Sequence, residues 1–135
     1  MGVFSKGSYE KLQTCDPRLV VIFEEVVKHF DCTVVCGHRG EAEQESSYIM
    51  GKSEKQWPDS KHNKMPSLAV DVVPYPIDWN DYKRMYYFGG YVKRVAEEHG
   101  IALRWGGDWD SDTQVLDQKF NDLPHFELVE ANPNG

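Results

Sequence analysis

Apolar residues near the start of the chain recur with helical spacing. Leu19, Val20, Ile22, Phe23, Val26 and Val27 fall on one side of a 3.6-residue repeat, and Asp16-Pro17 ahead of them supplies a cap and a first-turn proline. The pattern predicts a helix from Asp16 to about His29, with a shorter one before it over Ser5 to Leu12. Thr33 to Cys36 reads as a short apolar strand ended by Gly37, and Glu41 to about Met50 as a polar helix closed by Gly51. Charged, Ser- and Pro-containing residues from Lys52 to Pro66 predict a long surface loop. Leu68 to Val73 is the clearest strand, stopped by Pro74-Tyr75-Pro76. Asp78 predicts the cap of a long helix running through Tyr82, Met85, Tyr86, Tyr91, Val92, Val95 and Ala96 toward Gly100, with Asp81 completing a capping box. Gly89-Gly90 predict a weakened, kinked middle. Ile101 to Trp105 and His125 to Val129 are the last strands, parted by a Gly- and Asp-rich loop from Gly106 to Asp117. The end, from Glu130 on, reads as frayed.

This order predicts an α+β fold in which a small central antiparallel sheet is flanked by helices. A Rossmann-type fold is disfavoured, because its Gly-rich strand-to-helix turn is absent from the sequence. The 135 residues suit one domain, with no room for a second folded module.

Composition narrows the function. The formal charge of −7 argues against nucleic acid and anionic membrane surfaces as partners. No apolar stretch approaches a membrane span, and the N-terminus lacks the apolar run of a signal peptide, so synthesis in the cytoplasm is expected. Four Trp, seven Tyr and six Phe exceed what the core alone requires, so some should line a cleft. Cys15, Cys32 and Cys36 are too few and too widely spaced for a disulfide scaffold and read as free thiols, with Cys32 and Cys36 on one face of their strand.

Three polar residues interrupt apolar strands or adjoin them: His62 before the central strand, Asp71 within it, and His125 at the start of the last. A carboxylate among Leu68, Ala69, Val70, Val72 and Val73 is expensive to bury unless paired or bound to a cation. Two imidazoles and a carboxylate, with a fourth position left to water, form a catalytic zinc set. On chemistry alone each has a blander reading: His62 as a solvated loop histidine, Asp71 as the ion-pair partner of Arg39, His125 as a satisfied strand end. Asp122, three residues before His125 and followed by the turn at Pro124, is a candidate proton acceptor and donor, or a simple turn residue. Arg39, after the first strand, can offer bidentate donors to an oxyanion or pair with Asp71 or the following helix.

Taken in order, these segments resemble the D-Ala-D-Ala carboxypeptidase and VanX/VanY-like zinc peptidase family, and within it the phage L-alanyl-D-glutamate endopeptidases that act as endolysins. The resemblance rests on Ser60-Lys61-His62 through Ala69-Val70-Asp71, on Asp122-Leu123-Pro124-His125, on Gly37-His38-Arg39 and on Trp105-Gly106-Gly107-Asp108-Trp109. It spans about residues 15–130. It implies His62, Asp71 and His125 as ligands of one Zn²⁺, Asp122 as the catalytic acid/base, and Arg39 beside the scissile carbonyl. It also implies the peptidoglycan stem peptide as substrate, most of all at the L-alanyl–D-glutamate bond, with a D-Ala-D-Ala carboxypeptidase or dipeptidase as the enzymatic alternative and a non-catalytic wall-binding protein as the other. Such a protein is expected to be a monomer that waits in the host cytoplasm until a separate pore protein releases it to the wall. One departure is visible: eight residues separate His62 from Asp71, and Asn63 to Ser67 stand where the family has a tighter turn. The loop from Trp105 to Asp117 adds a separate expectation, since Asp108, Asp110 and Asp112 alternate, with Asp117 beyond, and such oxygen ligands suit Ca²⁺, though an ordinary solvated turn would look the same.

Overall fold

Side-chain acceptors set where the helices begin. In the computed structural model, which describes residues 2–118 and 121–129, Ser5 accepts from the Ser8 amide ahead of α1 (Lys6–Leu12). Asp16 does the same for Arg18 ahead of α2 (Pro17–Val27), with Pro17 in the first turn. Strand β1 (Cys32–Cys36), helix α3 (Glu41–Ile49), a 3-10 turn at Lys61–Asn63 and strand β2 (Ala69–Pro74) follow. Helix α4 (Tyr82–Glu98) and strands β3 (Leu103–Gly106) and β4 (Asp122–Leu128) come next. Asp81, not Asp78, caps α4: its carboxylate accepts from the Arg84 amide, whereas Asp78 closes the preceding turn on the Asn80 amide. The frayed end expected from Glu130 on lies outside the described residues.

The four strands form an antiparallel sheet in the order β1-β2-β4-β3, so β2 and β4 are both interior. Strand alternation sorts their side chains. Val34, Val70, Val72, Leu103, Trp105, Phe126 and Leu128 join the core with Leu19, Ile22, Phe23 and Val26 of α2 and Phe88, Val92 and Val95 of α4. Phe23 meets Phe126 edge-on at 5.4 Å, and each fully buried ring of this kind contributes about 2–3 kcal/mol relative to exposure. The opposite face carries the residues paired across the strands as Cys36 with Asp71, Asp71 with His125, Ala69 with Glu127, and Arg104 with Glu127.

Two local irregularities correct the sequence pattern. The β1–β2 register shifts between Val34 and Cys36, and the extra residue, Val35, turns Cys36 onto the face opposite Cys32. Cys32 therefore sits in the core while Cys36 stands beside Asp71, and the two do not share a face. Gly89 does not interrupt α4, which runs continuously over 17 residues. Its missing side chain leaves room for Trp105: a Cβ there would lie 2.2 Å from the indole.

Strand β4 begins at Asp122, earlier than the expected His125, because its pairing with β3 resumes after a bulge. Trp105 pairs with Phe126 and Gly106 with Asp122, which leaves 123–125 bowed out of the β3 ladder. Pro124 occupies that bow, beyond the last β2 partner at His125, where a missing N–H breaks no sheet bond. Gly106 permits the return: a Cβ would meet the Asp122 carbonyl oxygen at 2.0 Å.

Candidate active site

Sheet register places Asp71 and His125 side by side on adjacent interior strands, and the 3-10 turn brings His62 over them. His62 Nε2 lies 3.1 Å from Asp71 Oδ1 and 3.3 Å from His125 Nδ1, and His125 Nδ1 lies 3.3 Å from the same Asp71 oxygen. The far nitrogens are fixed by acceptors. His62 Nδ1 donates to the Gly37 carbonyl at 2.8 Å, and His125 Nε2 donates to Glu127 Oε1 at 2.8 Å. When neutral, as ligation to a metal requires, both rings thereby turn a lone pair toward Asp71. The enlarged turn after His62 is anchored, not loose: Ser67 donates its amide to Thr14, accepts at its carbonyl from Asp16, and its hydroxyl donates to the Ala69 carbonyl.

Proton affinities reflect this crowding. Burial disfavours charge on His62, but the Asp71 carboxylate outweighs it and lifts the imidazole to about 10. His125 rises to about 9 against the same burial cost, through its bonds to Asp71 and Glu127. Asp71 is held well below the carboxylate range, since the two imidazoles overcome its desolvation. Desolvation also opposes charge on Glu127, yet His125 and Lys61 bring it down to about 2.

Asp122 behaves in the opposite way. Burial and then the nearby Asp71 charge push it up to about 6, and its Oδ2 stands 3.9 Å from His125 Nδ1. Arg39 completes the group. Its Nη2 lies 3.4 Å from Asp71 Oδ2, and its Nη1 donates to Gln44 Oε1 at 3.0 Å. The ion pair with Asp71 that the sequence left as one option is therefore formed, while the guanidinium still lines the groove with Asp122 and both histidines. Cys36 stands close as well, and its sulfur, a His62 ring nitrogen and an Asp71 oxygen lie within 4.8 Å of one another, a cluster able to hold a metal ion. The nearer ring nitrogen is Nδ1, at 3.9 Å, which is the one turned to Gly37.

Several residues that shape this site were not singled out beforehand. Glu127 orients His125 and receives Lys61 and Arg104 on its other oxygen, at 3.2 and 3.4 Å. Its signal was present: His125 and Glu127 are alternate polar residues among Phe126 and Leu128, the mark of one strand face. Gln44, fully buried, ties Arg39, Asn63, Ser53 and the Lys55 carbonyl together, and the Arg39 amide donates to the His62 carbonyl. No local pattern announces a glutamine whose partners come from three separate segments. Trp109 packs against His125, ring centroids 5.4 Å apart.

In the acidic loop, ligand atoms of Asp108, Asp110 and Asp112 lie within 4.8 Å of one another, Asp108 buried and the others exposed. Asp117 joins through Asp112. Asp108 also accepts from the amides of Asp112 and Thr113.

An α+β domain with two histidines and an aspartate converging on one face of its sheet, a partly buried carboxyl beside them and a groove around them has the groups that could hold a metal ion and carry out hydrolysis. The family model described as phage L-alanyl-D-glutamate peptidase matches residues 1–129, and the chain belongs to this family. It is 31% identical over 134 residues to the L-alanyl-D-glutamate peptidase of Escherichia phage T5, a match covering 93% of this chain and 97% of that one. The crystal structure of the Serratia marcescens L-Ala D-Glu endopeptidase ChiX superimposes with a TM-score of 0.73 at 29% identity, over 93% of this chain and 89% of that one.

Proposed function

We propose that this chain is a single-domain zinc peptidase that cuts the stem peptide of bacterial peptidoglycan at its L-alanyl–D-glutamate bond, as a phage or prophage endolysin. The observation that carries the metal is the donor triangle of 3.1, 3.3 and 3.3 Å. Ligand atoms held 2.0–2.1 Å from one tetrahedral Zn²⁺ stand about 3.3–3.4 Å apart, so His62 Nε2, Asp71 Oδ1 and His125 Nδ1 fit three of its four corners. Glu127 and the Gly37 carbonyl are the outer partners such ligands need.

Zinc bound there supplies Lewis acidity toward a carbonyl and a water. The protein's own groups do the rest. Asp122, poised near neutrality by burial, accepts the proton of the attacking water and returns it to the departing amine. Arg39, braced by Gln44 and Asp71, offers its remaining N–H groups to the charge that develops on the carbonyl oxygen. The groove has a volume of about 1220 Å³, larger than an ordinary closed ligand pocket, which suits a polymer substrate better than a free dipeptide end.

Among the described residues no helix is long and apolar enough to cross a membrane. We place the protein as a monomer at the wall after release through a pore made by another protein. We also propose that Asp108, Asp110 and Asp112, with Asp117 nearby, take up Ca²⁺.

The deciding experiment is mass spectrometry of purified peptidoglycan after digestion. New N-terminal D-glutamate supports the reading. Released D-alanine with intact L-alanyl–D-glutamate overturns it in favour of the carboxypeptidase.

A further inference from the structure

Two large aromatic side chains stand exposed on the wall of the same groove. Trp79 and Tyr82 are 52% and 59% exposed, and both line the cleft that contains His62, Asp71 and His125. Their position is built. Arg84 donates to the carbonyls of Tyr75 and Pro76, its guanidinium lies over the Phe30 ring at 5.7 Å, and Asp78 and Asp81 close the turn on the Asn80 and Arg84 amides. A pinned loop that keeps Trp79 and Tyr82 in water spends hydrophobic surface on something other than the core.

The substrate's chemistry says what that ledge meets. On the reading above, the scissile bond follows the first residue of the stem, and that L-alanine is joined through a lactyl group to muramic acid. A sugar ring therefore lies within one residue and one short linker of the reacting carbonyl, roughly 7–10 Å at the reach of an extended chain. Pyranose rings present apolar C–H faces that pack against flat aromatic surfaces, while stem residues beyond the bond carry carboxylates.

The two ends of the groove differ in chemistry. Along β2, Asp71 lies between Ala69, whose partner Glu127 gathers Lys61 and Arg104, and Pro74, after which the chain leads directly to Trp79 and Tyr82. The ion-paired cluster of Lys61, Arg104 and Glu127 lies toward one end, the aromatic ledge toward the other.

We propose that Trp79 and Tyr82 form a seat for the muramic acid sugar that bears the stem peptide. The inference rests on the peptidase reading and adds the glycan to what the enzyme recognises. It explains how a groove opened wide enough for a polymer selects the bond nearest the glycan over bonds farther along the stem.

The test compares two soluble substrates with the same peptide, one carrying N-acetylmuramic acid on the L-alanine and one a plain N-acetyl group. The zinc-loaded wild type should favour the muramoyl peptide, chiefly through KM, by about fivefold to tenfold, the scale of one or two aromatic contacts. In Trp79→Ala and Tyr82→Ala the ratio of the two kcat/KM values should fall toward one. A second readout is titration of the muramoyl peptide into the Asp122→Asn protein, followed by calorimetry, with and without Trp79→Ala. Weaker binding of the muramoyl peptide alone supports the seat. A wild type that cleaves both peptides equally, or a ratio and an affinity untouched by both substitutions, overturns it. Failure of the wild type to cleave either peptide would instead count against the peptidase reading, and the titration would still decide the sugar contact.

Discussion

Glu127 Oε1 accepts the Nε2–H of His125 at 2.8 Å, so a carboxylate outside the donor triangle decides which nitrogen His125 presents to it. The same carboxylate receives Lys61 and Arg104, which hold it in place. Glu127→Gln keeps an acceptor but loses the charge, and Glu127→Ala frees the ring. Metal affinity should fall roughly 10–100-fold in the alanine variant, with a smaller loss in the glutamine variant. His125→Ala should lose most of the single zinc equivalent. Metal analysis after dialysis against graded chelator reads all three, and alanine at 127 with wild-type affinity would remove Glu127 from this role.

Asp122→Asn should leave zinc content and the melting profile intact while slowing hydrolysis about 10²–10⁴-fold, the usual worth of a positioned acid/base. Turnover near the wild-type rate by the metal-loaded variant would reassign the proton transfer.

Stability should respond to pH in opposite directions with and without metal. In the metal-free protein His62 and His125 are raised to about 10 and about 9, so their stabilising effect is complete below the unfolded value near 6.5 and disappears as pH rises through 9–10. Asp122, raised to about 6, loses its own contribution earlier, as pH climbs from the ordinary carboxylate range through 6, and depressed Asp71 withdraws its contribution only when pH falls below the ordinary carboxylate range. Zinc needs both imidazoles neutral, so its stabilisation grows as protons leave. The gap between zinc-loaded and chelator-treated melting temperatures should therefore widen from pH 5 to pH 9. A gap that narrows over that range contradicts the ligand set.

Adjacent glycines in α4 should respond with opposite signs. Gly89→Ala drives a Cβ to 2.2 Å from Trp105 and should destabilise by about 1–3 kcal/mol, as overpacked cores do. A Cβ at Gly90 meets nothing within 4 Å, so Gly90→Ala should stabilise by about 0.5–1 kcal/mol through helix propensity. Urea denaturation of the two variants measures both.

Calcium titrated into the zinc-loaded protein should bind at or below about 1 mM, the weakest range of protein calcium sites. An Asp108→Ala, Asp110→Ala double variant should abolish the heat signal. Absence of binding in the wild type leaves the loop held by its own amides alone.

Much of this architecture was legible in the sequence because Asp71 and His125 interrupt or adjoin strongly apolar runs, and period-two alternation sets them on one sheet face, while His62 stood out only by its place just ahead of the central strand. What escaped depended on contacts between distant segments. The start of β4 at Asp122 follows from Gly106 approaching its carbonyl, the turning of Cys36 follows from one inserted residue at Val35, and the true cap of α4 was chosen by which aspartate met a free amide. The packing role of Gly89 was hidden for the same reason: the indole that needs its space arrives from β3, sixteen residues later in the chain.

The two faces of the sheet also divide the protein's tolerance for redesign. One face answers to shape alone, so Phe23, Phe88 and Phe126 with their aliphatic neighbours can be repacked for heat resistance if volume is conserved. The other answers to charge and reach, and parts of its surrounding walls come from 51–61 and from Trp79 and Tyr82, on segments hung on the sheet from outside. A sturdier enzyme and one with altered appetite are thus separate engineering problems here, soluble on opposite sides of a single layer of backbone.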